Sequence, residues 1–495
     1  MYDFRIRSKA LFGVFLLSMF QTACMVGPNF HTPKAPKVQK FTESPLSKKT
    51  VKSAGPGGQA QAFLHDKDIP LLWWELYHSP EINQLVRAGL ANNPSLEAAS
   101  ASLRQAQENL KAQIGNSLLP VVDGMGSVQR QRYSGVQIGI PGRSETFSLY
   151  NVSANVSYTL DVFGGARREI ESLRAQVNYQ QFEVIAAYLT LTSNIVTTAV
   201  TIASLEDQIT ATKELIRAQQ GVYTVLNNQY RLGGVSNADV LTQQTLLEQS
   251  KATLPPLEKN LAQAKHALSA LIGTFPENAL PTIKLDRLKL PNQLPVTVPS
   301  MLVRQRPDIR ASEALLHAAC AQIGVATANF FPQLTLTASD GWINTSWSKL
   351  FTAPNNIWSV TGQVLQPVFH GGALFAQRRA AIAAYKQAAA QYKQTVLQGF
   401  QNVADVLRAL ETDAQALLAQ TRAENAARAA LTLTMNQYRL GGVSYINLLN
   451  AQQQYQQTRI SRIQAQAIRY SDTAALFQAL GGGWWRKPWC VRECL

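Results

Sequence analysis

The chain has 495 residues, a formal net charge of +15, 46% hydrophobic residues and only 16% charged ones. That balance excludes intrinsic disorder, which needs low hydrophobicity with high charge. The longest nearly unbroken apolar run, Ala10 to Phe20, falls short of the ~20 residues of a spanning helix, which argues against a helical transporter, while a β-barrel stays open because its signal per strand is weak. Four cysteines (Cys24, Cys320, Cys490, Cys494) are too few and scattered for a disulfide scaffold. Six scattered histidines without an HExxH pair give no metal site, and no GxxxxGK phosphate loop is present. No metal and no cofactor are expected.

Arg5, Arg7 and Lys9 precede the apolar Ala10–Phe20 segment, so residues 1–23 read as an export signal. Thr22 and Ala23 stand directly before Cys24, which resembles the lipobox of bacterial lipoproteins, with Cys24 as the acylated residue. Gln21 departs from that pattern, which usually has Leu there. Met25, rather than Asp, follows the cysteine, which resembles outer-membrane sorting. Beyond it, Pro28, Pro33, Pro36, Pro45 and Pro56 interrupt any helix, and six lysines fall between Lys34 and Lys52 against one Glu. This stretch reads as a solvated tether, with contact to anionic lipid headgroups as the alternative.

The rest is two copies of one unit. Asn228-Gln-Tyr-Arg-Leu-Gly-Gly-Val-Ser236 recurs as Asn436-Gln-Tyr-Arg-Leu-Gly-Gly-Val-Ser444, at an offset of 208. Val162-Phe-Gly-Gly-Ala166 matches Val368-Phe-His-Gly-Gly-Ala373, with one insertion, and Asn93-Pro94 matches Arg306-Pro307. Each copy predicts a helix of moderate length (95–117, 308–329), then a strand pair (121–160, 333–368), then a very long helix. Ala166 to Asn227 contains no Pro and one Gly; at ~1.5 Å per residue its 62 residues span about 93 Å. Apolar positions from Val184 to Ile209 keep the 3/4 spacing of a coiled coil. The Gly-Gly of each nonamer should end the long helix, and Ser236 or Ser444 should cap the return helix. Pro255-Pro256 should kink the first return helix.

Residues 147–160 alternate. Tyr150, Val152, Ala154, Val156, Tyr158 and Leu160 share one face; Asn151, Ser153, Asn155, Ser157 and Thr159 share the other. One apolar and one neutral polar face fits a strand with lipid outside and water inside, although a soluble half-buried sheet has the same pattern. Tyr150 and Tyr158 are eight residues apart, about 26 Å at ~3.3 Å each, which suits two aromatic girdles. Four strands cannot close a membrane barrel, and open edges do not survive in lipid, so the membrane reading requires an oligomer.

Taken in order, these features resemble the outer membrane factor family, the TolC-like channels, in its NodT/OprM-type lipoprotein branch. Cys24-Met-Val-Gly-Pro-Asn-Phe30, Trp73-Trp-Glu-Leu76, Asn92-Asn-Pro-Ser-Leu96, Arg306-Pro-Asp-Ile-Arg310, Gln322-Ile-Gly-Val-Ala326, Asn329-Phe-Phe-Pro332, both nonamers and Ala479-Leu-Gly-Gly-Gly-Trp484 carry the likeness. The resemblance implies a mixed α+β membrane protein. It would be a homotrimer with a 12-stranded β-barrel, four strands per chain, above a long coiled-coil α-helical barrel. It implies a passive efflux duct in the outer membrane, served by a periplasmic adaptor (membrane fusion protein) and an inner-membrane pump. The corresponding layout is 1–23 signal, 24–93 tether and equatorial segment, 94–273 first repeat, 274–306 linker, 307–481 second repeat and 482–495 tail. By the same resemblance, Gly233, Gly234, Val235, Ser236 and Gly441, Gly442, Val443, Ser444 meet the adaptor. Tyr445, Ile446 and Asn450 lie at the gate, where relatives carry Asp in place of Asn450. Departures from the pattern are Gln21, Pro255-Pro256, the basic net charge and the tail with Cys490 and Cys494.

Two other classes compete. A periplasmic coiled-coil structural or adaptor lipoprotein fits the helices but not the alternating strands. An enzyme has little support: His317 and Cys320 lie one helical turn apart, but no nucleophile–base–orienter set is visible, and a buried Cys on an Ala-rich helix is the commoner case. Nucleic-acid binding is also disfavoured, because the excess positive charge is spread along the chain.

Overall fold

The computed structural model describes residues 25–65, 67–134, 136, 139, 142 and 144–486. The export signal with Gln21 and Cys24, and the tail cysteines Cys490 and Cys494, lie outside the described residues. In chain order the elements are β1 (Ala62–His65), α1 (Pro80–Asn92), α2 (Pro94–Leu118), β2 (Val121–Ser134), β3 (Ser144–Leu160), α3 (Gly165–Arg231) and α4 (Asn237–Leu271). There follow β4 (Gln293–Val296), α5 (Pro299–Gln305), α6 (Pro307–Ala328), β5 (Gln333–Asn344), β6 (Asn356–Leu365), α7 (Ala373–Arg439) and α8 (Tyr445–Ala479). The long helices α3 and α7 both have 67 residues, and the return helices α4 and α8 both have 35. Their bounds differ by the same 208 residues that separate the nonamers.

Two compact units form. The first gathers, among the described residues, 25–33, 103–180 and 312–392. Its centre is one antiparallel sheet in the order β2-β3-β5-β6, so each repeat contributes one hairpin and β3 pairs with β5 across the repeats. The first described residues are clasped within this unit. Arg168, 1% exposed, donates to the carbonyls of Val26 and Gly27 and to Asn29 Oδ1. Phe30 stacks on His317 at 4.3 Å.

The second unit gathers, among the described residues, 34–102, 181–311 and 393–486. Its core packs Trp73, Trp74 and Tyr77 with Ile82 and Leu85 of α1, Ile195 and Ala199 of α3, Leu407 of α7 and Tyr470 and Phe477 of α8. The equatorial stretch read as a tether is docked here, not solvated. Thr50 and Ser53 are buried, Thr50 N donates to Gln61 O at 2.9 Å, and β1 pairs in parallel with β4. Arg469, fully buried, donates to the carbonyls of Gly57 and Gln59 and to Thr50 Oγ1. Desolvation lowers its pKa to about 10, yet these acceptors hold the loop in place. The stretch 274–306 likewise buries Ile283, Leu285, Leu288, Leu294 and Leu302.

Pro255 and Pro256 lie inside α4 without ending it. They remove the N–H donors that would meet the carbonyls of Lys251 and Ala252. Helix α3 holds a stretch with mean hydropathy 1.4, enough by length and composition to cross a membrane, but 61% of that stretch is buried within the protein. It supplies Tyr188, Ile195, Val196 and Ala199 to the core, the behaviour of a core helix.

The duplication extends to the joints of the second unit. Asn93 Nδ2 donates to Leu271 O at 2.8 Å, at the end of α4; Arg306 Nη1 donates to Ala479 O at 2.9 Å, at the end of α8. In both repeats the residue before the helix-initiating proline thus satisfies the last orphan carbonyls of the return helix. Gly273 and Gly481 follow, with φ of +71° and +95°. A Cβ on either would strike the facing backbone, at Asn92 O and Gln305 O.

Candidate functional site

Register extends the two-faced pattern of β3 over the whole sheet. Val122, Val156, Ala338 and Val360 form one cross-strand row, and Tyr158, Leu336 and Gly362 form another on the same face. On the opposite face Asp123, Asn155, Ser339 and Ser359 form a row, and so do Val121, Ser157, Thr337 and Thr361. The apolar side chains are not covered: Val122 is 66% exposed and Val360 73%. Asp340 breaks the apolar face next to Trp358 and accepts a hydrogen bond from Asn356 Nδ2 at 3.1 Å. The outer edges of β2 and β6 have no strand partner among the described residues.

Tyr150 and Tyr158 lie on the apolar face, in register with Asn344 and Leu336. Tyr150 stands in an aromatic group at one end of the sheet: its ring is 5.7 Å from Trp347, and Phe351 bridges Trp347 to Trp342. Beyond Tyr158, at the other end, the aromatics are phenylalanines: Phe163 stacks on Phe331 at 4.7 Å, and Phe330 meets Phe375 at 5.0 Å. Apart from Trp342 of β5, these partners sit in connections and helix ends, so strand alternation alone pointed to the two tyrosines and missed them.

The two nonamers form tight turns at the ends of α3 and α7. Gly233 N donates to Tyr230 O and Gly234 N to Gln229 O; Gly441 N donates to Tyr438 O and Gly442 N to Gln437 O. This is the Schellman closure of a helix C-terminus. Gly233 and Gly441 adopt φ of +77° and +74°, where a side chain is strained. Gly234 and Gly442 do not: a Cβ there would meet its nearest atom at 3.5 Å, an ordinary contact. Val235 and Val443 are half-buried, and Ser236 and Ser444 are exposed. Leu232 and Leu440 are 87% and 88% exposed, an unusual state for leucine. The sequence reading passed over them although they belong to the nonamers.

Helix capping differs from the expectation at one tip. Ser236 and Asp239 form a complete capping box at the start of α4. Ser444 makes no side-chain cap at the start of α8. The residue at the Asp239 position is Asn447 there, and no carboxylate reaches back to complete the box.

At the start of α8, Tyr445 turns inward. Its hydroxyl donates to Gln243 Oε1 at 2.5 Å, and Gln243 Nε2 donates to Gln219 O on α3. Burial pushes the Tyr445 phenol well up, so it stays a donor. Ile446 is 49% exposed and Asn450 is exposed, so neither packs inside the single chain. Asn450 lines an open cavity of about 1000 Å³, whose wall holds Gln453, Gln454, Gln457, Thr212 and Pro256 and no charged residue.

His317 and Cys320 serve the clasp of the N-terminal segment. His317 Nε2 lies 2.8 Å from Glu171, which also binds Arg168, and Cys320 is buried with its thiol pushed up mainly by desolvation. A raised thiol pKa disfavours the thiolate nucleophile. A carboxyl pair escaped sequence reading altogether: Asp472 of α8 lies beside Asp413 of α7, and desolvation, with the neighbouring carboxyl adding to it, pushes Asp472 up to about 8. Among the described residues no group of three or more His, Cys, Asp or Glu is placed to hold a metal.

A two-faced sheet with open edges, joined to helical hairpins with exposed glycine tips, defines a channel protein of the bacterial outer membrane. The family model described as outer membrane efflux protein matches residues 85–274 and 298–482, and the chain belongs to that family. The chain is 27% identical over 490 residues to the toluene efflux pump outer membrane protein TtgC of Pseudomonas putida, covering 97% of both chains. It is 28% identical to the cation efflux system protein CusC of Escherichia coli, over 95% of this chain and 98% of that one. Among solved structures it resembles the outer-membrane channel OprN (TM-score 0.83, 26% identity, 93% of this chain and 100% of that one). It also resembles the open state of the Neisseria gonorrhoeae MtrE outer membrane channel (TM-score 0.79, 25% identity, 93% and 98%).

Proposed function

We propose that the protein is the passive outer-membrane duct of a tripartite efflux system, working as a homotrimer whose three sheets close one 12-stranded barrel. The sheet carries this reading. It has an exposed apolar face, a polar face and two unpaired edges, and backbone edges left open in lipid cost several kcal/mol per group. Closure by copies pairs β2 of one chain with β6 of the next. The rows of Ser, Thr and Asn then line the water-filled bore. Cys24, by its place in the lipobox-like segment, carries the lipid anchor. An inner-membrane pump supplies the energy, and a periplasmic adaptor meets the hairpin tips. The test is heat-modifiable mobility together with planar-bilayer conductance of the purified protein. Trimers that conduct support the reading; a folded monomer in detergent with protected amides on β2 and β6 overturns it.

Adaptor contact at the tips is supported by Gly234 and Gly442. The chain's own conformation does not demand glycine there, yet both repeats have it, which suits close backbone approach by a partner. Leu232 and Leu440 add two apolar contacts beside them. Tyr445, Ile446 and Asn450 form the gate. Three copies of Ile446 make an apolar constriction, and three neutral Asn450 amides both donate and accept, so they bind one another or water without a cation.

A further inference from the structure

The lysine-rich stretch is absorbed by neither the channel wall nor the tips. Residues 39–49 do not trail away from the second unit but arch over it. Phe63 N donates to Lys48 O at 3.1 Å, and Lys49 bridges to Ala62. Ser47 N donates to Glu411 Oε1 at 3.3 Å, and Arg408 Nη2 donates to Ser44 O at 3.4 Å. Beneath the arch lies a cavity of about 780 Å³, within the ~300–1,000 Å³ of small-molecule sites. Phe63 and Leu64 of β1, Val296 of β4 and Leu407 of α7 line it from below; Phe41 and Leu46 line it from the arch.

Three lysines, Lys40, Lys48 and Lys49, complete the lining, and no Asp or Glu does. All three are exposed, and among the described residues none is ion-paired. The carboxylate that ties the arch down, Glu411, is engaged by Arg408 at 2.7 Å. Lysine stems cover apolar surface while their ammonium groups stay at the rim in water. A neutral hydrophobe would fill such a hollow without needing three cations at its mouth. A membrane surface would meet the cations without needing the hollow. Both features together match one ligand chemistry, an apolar body carrying a single acidic head.

We infer that the hollow beneath residues 39–49 binds a small amphipathic anion, its apolar body against Phe63, Val296 and Leu407 and its acidic head among Lys40, Lys48 and Lys49. The site shares no residue with the sheet, the tips or the gate, so it stands or falls apart from the channel reading. The experiment titrates full-length protein, held in a non-ionic amphipol so that neither detergent nor polymer carboxylates compete, with decanoate by calorimetry. Decanol and decyltrimethylammonium serve as neutral and cationic twins. Saturable decanoate binding near one per chain is expected, with both twins weaker. The triple variant Lys40→Gln, Lys48→Gln, Lys49→Gln should weaken decanoate by about tenfold or more, with helicity and trimer unchanged. Val298→Trp, at an exposed position of the cavity lining, should block the site. The inference is overturned if decanoate does not saturate, if decanol binds as tightly, or if the triple variant binds decanoate with the original affinity. It is equally overturned if the triple variant loses only its attachment to anionic vesicles, which would make the lysines a membrane contact.

Discussion

The two hairpin tips share one nine-residue sequence but hold their return helices by different means. Each nonamer closes its long helix with the same pair of backbone hydrogen bonds, because the turn is decided within those nine residues. The return helices part company at once. Helix α4 starts from a capping box, Ser236 with Asp239, wholly within its own first turn. Helix α8 has no such cap and is held by Tyr445, which reaches across to Gln243 on α4. A local cap holds a helix end wherever the helix goes. A cross-helix bond holds it only while the neighbour stays in place. Under the proposed gating role, this difference is what lets the tip of the second hairpin part from the first. Ile446 and Asn450 occur on that hairpin only, with Ala238 and Thr242 at the corresponding positions of the first.

The largest expected effect comes from breaking what the tips share. Gly234→Trp or Gly442→Trp alters an exposed tip position where a Cβ meets its nearest atom at 3.5 Å, and Gly234→Ala and Gly442→Ala serve as controls for the turn itself. Trimers should persist while drug resistance falls to the level of a deletion strain. Adaptor cross-linking and drug susceptibility measured on the same cells check this. Unchanged cross-linking in both variants would mean that the glycines serve the turn alone.

The next test cuts the link between the hairpins that lies nearest their tips. Tyr445→Phe removes the hydroxyl donor and leaves Gln243 Oε1 without it on a fully buried side chain, a loss of roughly 1–3 kcal/mol. Amide exchange should quicken at residues 445–450, and basal conductance in planar bilayers should rise. If exchange quickens equally along both return helices, the bond is a general brace and the asymmetry between the hairpins is not functional.

Much of this was legible in the chain. The long Gly- and Pro-poor stretches, the glycine stops and the alternation in β3 are local signals, and the structure places helices, turns and strands there. What escaped depends on residues far apart in sequence. Strand β1 has four residues and pairs with β4 some 230 positions later, so neither carries a period worth reading. The docked lysine-rich arch was read as a solvated tether because its own residues are polar; the surface that captures it belongs to β1, β4 and α7. Tyr445 pointed to the gate only through family likeness, and its partner Gln243 looks like any helical glutamine. Ser444 was expected to cap α8 as Ser236 caps α4, but its side chain makes no cap bond, and the residue three on is Asn447 where α4 has Asp239.

A smaller, pH-dependent effect should appear in the second hairpin alone. Asp472 and Asp413 face each other on α8 and α7, whereas the matching positions on α4 and α3 are Ala264 and Leu205. Burial and the contact with Asp413 raise Asp472 to about 8, well above the ~3.9 of an unfolded chain. The folded state therefore holds more protons than the unfolded one between those values. The contribution of this group is fully present below about pH 4 and is lost as pH rises through about 8. Asp472→Asn should flatten that fall and raise the melting temperature at pH 9 by a few degrees, with little change at pH 4. A melting profile that slopes as steeply in the variant as in the parent would assign the pH dependence to other groups.

The finest distinction between the hairpins lies in their first helical turns. Ser236→Ala removes a side-chain acceptor from Asp239 N and should cost ~1 kcal/mol. Ser444→Ala removes no capping bond and should stay within about 0.5 kcal/mol. The reverse change sharpens the contrast. Asn447→Asp supplies a carboxylate three residues after Ser444, where it can accept from the Ser444 N–H and meet the positive end of the helix, a gain of ~0.3–1 kcal/mol. That gain would be local to α8, so amide protection should increase over residues 446–449 and not over 238–241. If release of α8 depends on a loosely started helix, the same change should lower basal conductance even though it touches neither Ile446 nor Asn450. Greater protection without any drop in conductance would separate helix initiation from gating and leave the Tyr445 hydroxyl as the latch nearest the tips, with Arg459–Glu214 and Gln464–Gln208 bracing α8 on α3 further along.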